Sequence, residues 1–179
     1  MMEQIKTNQI IEILDKSLQK CTKSEKNFIN IMFVAEAKYE KNFYRVFNEW
    51  ANQCKDISIR FGSYPGVLHK EVNGILYPDL KNGEKQYCYV NDDINAFNSE
   101  NSVVIFERFN WGQAEKSVLE TKDIIKNRTY CPCYNGKTYS LEHLKMVIAT
   151  SYPDGKGYQH NIQLPKELLD CFEKYEVIG

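Results

Sequence analysis

Three short apolar runs constrain this chain more than any other feature: Phe28-Ile29-Asn30-Ile31-Met32-Phe33-Val34, Ser102-Val103-Val104-Ile105-Phe106 and Lys145-Met146-Val147-Ile148-Ala149-Thr150. Runs of this kind are what buried parallel strands look like, because such strands have no solvent-facing side. Amphipathic stretches lie between them. Residues 3–21 carry Ile5, Ile10, Ile11, Ile13, Leu14 and Leu18 at helical spacing, 41–54 carry Phe43, Val46, Phe47 and Trp50, and 113–126 carry Ala114, Val118, Leu119 and Ile125. Apolar strands alternating with one-sided helices predict an α/β fold, a three-layer αβα sandwich around a mainly parallel sheet.

The remaining elements are weaker. Ile57 to Phe61 alternates like a strand, which Gly62 to Pro65 ends. From Gly66 to Asn101 the chain is least regular, with turn signals at Asn73-Gly74 and Asn82-Gly83 and a short strand at Gln86 to Val90. Asn135-Gly136 between Thr129-Tyr130 and Lys137-Thr138-Tyr139 predicts a hairpin. Pro165 to Tyr175 reads as a terminal helix and Glu176 to Ile178 as a last strand. At 179 residues the chain is expected to be one domain, a helix within 1–25 leading into an αβα unit over 28–179.

Composition narrows the function. With 23 Lys+Arg against 24 Asp+Glu and a net charge of -1, the chain is neither a generally basic nucleic-acid binder nor an acidic DNA mimic. No apolar run approaches the ~20 residues that span a bilayer, and no signal peptide opens the chain, so a cytoplasmic protein without membrane contact is expected. Cys21, Cys54, Cys88 and Cys171 lie singly, as small buried hydrophobes do in a reducing compartment. Cys131-Pro132-Cys133 has no second Cys or His pair at zinc spacing, so no metal site is expected. His69, His143 and His160 do not form a catalytic set.

Three segments together resemble the core of AAA+ ATPases, most closely the MoxR-type branch. Ile31 to Asn42 has the apolar strand, loop length and lysine (Lys41) of a strand followed by G-x-x-x-x-G-K-S/T. Val103-Val104-Ile105-Phe106-Glu107-Arg108-Phe109-Asn110 is similar to a Walker B strand running into D-E-F-N. Met146 to Tyr158 looks like that family's I-A-T-x-N-P-x-G-x-G-Y around sensor 1, and Leu168-Leu169-Asp170-Cys171-Phe172 like the A-L-x-D-R-F that follows. The resemblance spans about residues 28–179 and implies an AAA+ core-like sheet.

The departures imply lost chemistry. A P-loop wraps phosphate in successive backbone amides, with lysine on the β- and γ-phosphates and a hydroxyl on Mg²⁺. Here Ala35 and Glu40 stand at the glycine positions and Asn42 at the hydroxyl position. Glu107 replaces the metal-binding acid, and Arg108 the glutamate that positions water, which a guanidinium cannot do. Tyr152 stands for the sensor asparagine and Cys171 for the arginine of D-R-F, and the core is expected to lack the helical lid. Phosphoryl transfer is positioning and charge neutralisation, so a chain without those groups is expected to have no catalytic residues and no ATP or Mg²⁺ cofactor.

Lys41, Asn42, Glu107 and Arg108 are thus a vestigial nucleotide site; the plainer reading pairs Lys41 with Glu36 or Glu40, and Glu107 with Arg108. Arg128, Tyr130, Tyr134, Tyr139, Tyr152 and Tyr158 gather around the hairpin and the later loop. Tyrosines in loops form protein interfaces, or pack their rings on the sheet, and those two readings stay level. The expected function is a non-enzymatic pseudo-ATPase domain that binds a protein: itself, a related ATPase, or a larger machine that it adapts or inhibits. Two alternatives remain beside it: a phage-type, anti-CRISPR-like inhibitor of a host defence nuclease, and a switch retaining Lys41-dependent ATP or ADP binding. A nucleic-acid reading through Lys126, Arg128 and the tyrosines also stays open, with less behind it.

Overall fold

Strand β2 (Ile29–Ala35) lies inside the sheet, with Ile31 opposite Ile148 of β9 (Leu144–Ser151) on one side and Glu173 of β10 (Glu173–Val177) on the other. This is a computed structural model, and it describes residues 2–23, 28–54, 57, 59–64, 67–69, 87–89, 99–106, 109, 122–130, 138–154 and 164–179. The other strands of the main sheet are β1 (Glu3–Ile5), β3 (Ile59–Tyr64), β4 (Val67–His69), β5 (Tyr87–Tyr89) and β6 (Ser102–Phe106). Their order is β1-β10-β2-β9-β6-β3-β4-β5, parallel from β1 through β3 and antiparallel from there to β5. A small antiparallel pair, β7 (Thr129–Tyr130) and β8 (Tyr139–Ser140), forms a separate ribbon.

Helices cover both faces of the sheet. On one face lie α1 (Ile10–Lys23) and α2 (Glu40–Gln53), packed on Ile29, Ile31, Phe33, Val103, Ile105, Met146 and Ile148. On the other lie α3 (helical residues 122–127) and α4 (Lys166–Leu169), against Met32, Val104, Phe106, Val147 and Ala149. Odd and even residues of β2 and β6 therefore feed different cores, as a period of two requires. This is the three-layer αβα sandwich that the apolar runs predict. Each such side chain contributes roughly 1.5–3 kcal/mol when fully buried, and Phe33, packed on Phe43 and Phe47 at ring-centroid distances of 6.0 and 6.1 Å, has no exposed surface. Trp50 Nε1 donates to Asp15 Oδ1 at 2.9 Å, which ties α2 to α1.

Two expectations are corrected. Ile5 belongs to a strand, not to the first helix: β1 pairs parallel with β10, Ile5 opposite Val177, and the helix proper begins at Ile10. A lone buried isoleucine among polar residues fits a short edge strand as well as it fits a helical period. The terminal helix stops at Leu169, and the chain from Glu173 forms β10, longer than the sequence indicates. Mainly half-buried, β10 lacks the apolar run that marks its neighbours, and its ladders to β1 and β2 override local helix propensity. Among the described residues no helix is long and apolar enough to cross a membrane.

Candidate functional site

In an open α/β sheet, ligands bind outside the carboxyl ends of strands, where neighbouring strands send the chain to opposite faces. Here β2 leads into α2 on one face, while the connection from β9 leads to α4 on the other. The crevice between their carboxyl ends is bounded by Glu36 to Tyr39 after β2 and by Tyr152 to Asp154 after β9. This is also where the ATPase resemblance places its phosphate loop.

The loop is a 3-10 turn, Ala37–Tyr39, rather than a wrapped cradle. Three amides of this segment are already committed. Ala37 N–H donates to Asp154 Oδ1 at 2.8 Å, Tyr39 N–H to the Glu36 carbonyl at 3.0 Å, and Glu40 N–H to the Ala37 carbonyl. Glu36 pairs with Lys38 at 3.2 Å, which holds the exposed Lys38 ammonium above its ordinary range. The Glu40 carboxylate accepts from the Tyr44 hydroxyl. Lys41 is exposed on α2 and pairs with neither glutamate, which corrects the plainer reading of that lysine.

Beside the turn, a cavity of about 240 Å³ has a floor of Val34, Val177 and Ile178 and three carboxylates, Glu36, Asp154 and Glu176, in its wall. A phosphate there would meet like charge. One such pair ~4 Å apart costs about 4 kcal/mol at an effective dielectric of 20. Asn42 does not face this crevice; it lines a separate cleft with Lys6 and Arg45. The structure therefore does not bring Lys41 and Asn42 together around one phosphate position. Glu107 and Arg108 lie outside the described residues, as do Cys131, Cys133, Tyr134 and Tyr158.

The hairpin surface needs a larger correction. Arg128 is 3% exposed, Tyr130 5% and Tyr152 0%. Tyr152 packs edge-on against Phe43 with centroids 6.0 Å apart, and Tyr130 belongs to the core beneath α3 and α4. Rings this large are stabilised more by the sheet than by water, so the packing alternative holds for both. Tyr139 is half-buried at the edge of the same core, and among the described tyrosines of the group it alone keeps a partly open face. A basic patch of Lys126 and Arg128 is likewise absent, because only Lys126 reaches the surface.

Arg128 is instead a clamp at the opposite end of the sheet. It follows α3 with a positive φ of 52°, the conformation that closes many helices. Its Nε donates to the Leu144 carbonyl at 2.8 Å, Nη1 to those of Ile124 and Ile125 at 3.1 Å each, and Nη2 to that of Ile29 at 3.3 Å. The Phe28 ring covers the guanidinium at 4.3 Å. Burial pushes its pKa down to about 9, which leaves it charged at neutral pH.

Sequence reasoning missed the roles of Asp154 and Arg128. Pro153-Asp154-Gly155 does carry a turn signal. An arginine after a helix carries none for burial, since arginine is almost always exposed. Among the described residues no group of His, Cys, Asp or Glu could hold a metal ion. Cys54 is a half-buried thiol that burial, with Asp15 nearby, pushes up to about 11, so it is a poor nucleophile. No protein-family model and no curated protein matches this sequence.

Proposed function

We propose that this chain is a non-catalytic, ATPase-core-like domain that acts by binding another protein. One observation carries the reading: the Ala37 amide at the β2–α2 turn, where a phosphate loop would open, is held by the Asp154 carboxylate at 2.8 Å. A phosphate oxygen entering that turn would have to compete with this carboxylate for the amide. Glu36 and Glu176 in the same wall reinforce the exclusion of anions. The parallel order β10-β2-β9-β6-β3, with the strand before the lysine-bearing helix between β10 and β9, supports the likeness to a P-loop ATPase core. A fold of that kind without a working phosphate site can act through its surfaces, and the resemblance to ring-forming ATPases makes a second copy or a related ATPase the first partner to test.

The test is a calorimetric titration with ATP and ADP, with and without Mg²⁺, beside sedimentation velocity over a range of protein concentrations. The expected result is no ATP or ADP heat that depends on Lys41, and concentration-dependent association. Saturable ATP binding that Lys41→Ala abolishes, by a protein that stays monomeric, would overturn the reading in favour of a nucleotide switch.

A further inference from the structure

A second cleft, of about 550 Å³, opens between the start of α1 and α2, beyond the carboxyl ends of β1 and β10. Lys6 and Thr7 enter it from the β1–α1 turn. Asn42, Arg45, Val46 and Glu49 enter from α2 at spacings of three, four and seven, one stripe of that helix. Among the described residues neither Lys6 nor Arg45 has an ion-pair partner, whereas Lys16, Lys38 and Lys122 each hold a carboxylate within 3.2 Å. The Thr7 hydroxyl oxygen is buried with no hydrogen-bond partner, and the Thr7 amide donates to the Gly179 carbonyl at 2.6 Å.

We infer that this cleft binds a phosphate monoester carried on a small hydroxyl-bearing body. Lys6 and Arg45, neither paired with a carboxylate, face a space that Glu49 and Gly179 also line, and the guanidinium fork of Arg45 matches a phosphate's oxygens. The Asn42 amide supplies a further donor. Ile11 and Val46 give an apolar wall, and Glu49, the one carboxylate among the lining side chains, accepts from a ligand hydroxyl. The volume is that of a small-molecule site and exceeds what inorganic phosphate would fill. This site goes beyond the protein-binding reading and shares no residue with the crevice at Ala37 and Asp154, so either can fail without the other.

The test is calorimetric titration of AMP, ribose 5-phosphate and inorganic phosphate into the 179-residue chain and three variants, Lys6→Gln, Arg45→Gln and Lys41→Gln. All three positions are exposed, so the variants should melt with the parent when no ligand is present. The expected result is that the esters bind more tightly than inorganic phosphate. Lys6→Gln and Arg45→Gln should each weaken them about tenfold or more, the loss of one charge-assisted contact, and Lys41→Gln should change nothing. No heat with any ligand at millimolar concentration overturns the inference. Equal binding of all three ligands overturns the assignment of an ester. Loss with Lys41→Gln alone moves the anion to the β2–α2 turn and overturns the cleft.

Discussion

At the amino ends of β2 and β9 a buried guanidinium, Arg128, donates to four carbonyls, whereas at their carboxyl ends an exposed carboxylate, Asp154, accepts from one amide. The first contact joins the two strands to the last turn of α3, and its carbonyls form the negative end of that helix. The second joins two loops over a cavity lined by charge. A buried donor costs free energy unless every bond is made, so Arg128 fixes the positions of the groups around it. An exposed acceptor can exchange its amide for water at little cost. The sheet is locked where strands begin and adaptable where they end, which is the end at which α/β proteins meet their ligands.

Arg128→Met should break this contrast most strongly. It removes the guanidinium bonds to four carbonyls; the Ile124 carbonyl keeps the Arg128 N–H and the Ile125 carbonyl keeps Asn30 Nδ2, so at about 1–3 kcal/mol for an unsatisfied buried group the net loss should be about 2–3 kcal/mol. Urea denaturation measures it. The loss should be equal at pH 5 and pH 8, because the guanidinium stays charged below about 9. A variant within ~0.5 kcal/mol of the parent would mean that the clamp is ornamental. Asp154→Ala should act oppositely: stability within about 0.5 kcal/mol of the parent, as for most exposed sites, but faster hydrogen exchange at the Ala37 amide. Unchanged exchange there would show that the turn, and not Asp154, protects the amide.

The same contrast explains what could be read in the sequence. The middle of the sheet was legible because β2, β6 and β9 are apolar along nearly their whole length, and that pattern has few other physical causes. Strand β10, Glu-Lys-Tyr-Glu-Val, was not, because only Val177 of it is fully buried and its place depends on partners distant in sequence. Tyr130 and Tyr152 stayed undecided, and Arg128 was misplaced, for a related reason. Their burial is decided by rings and carbonyls supplied by other elements, while residue type alone points them outward. That no glycine lies between Ala35 and Asn42 was visible in the sequence; that the Asp154 carboxylate holds the Ala37 amide depends on a contact 117 residues away.

The smallest expected effect sharpens the comparison within one helix. While Arg128 anchors the end of α3, Lys122, earlier on that helix, is joined to α4 by its Nζ and Glu167 Oε2 at 3.0 Å, an exposed pair. Each partner favours the charged form of the other: Glu167 titrates below its ordinary 4.5 and Lys122 above its ordinary 10.5, the hydrogen bond between them being the largest cause for both. For Glu167 the native state binds its proton less readily than the unfolded chain. Its contribution is therefore present above pH 4.5 and lost as pH falls through the lowered value. Lys122 mirrors this at the other limit, with its contribution present below pH 10.5 and lost as pH rises through the raised value. Melting temperatures of the parent and Glu167→Gln, followed from pH 7 down to 3, should converge at the acid end, and ~1 M salt should erase most of the gap at pH 7. A gap that persists in acid and in salt would assign the pair a packing role. The exposed anchor of α3 would then resemble the buried one in kind, leaving the two attachments of the helix to differ only in degree.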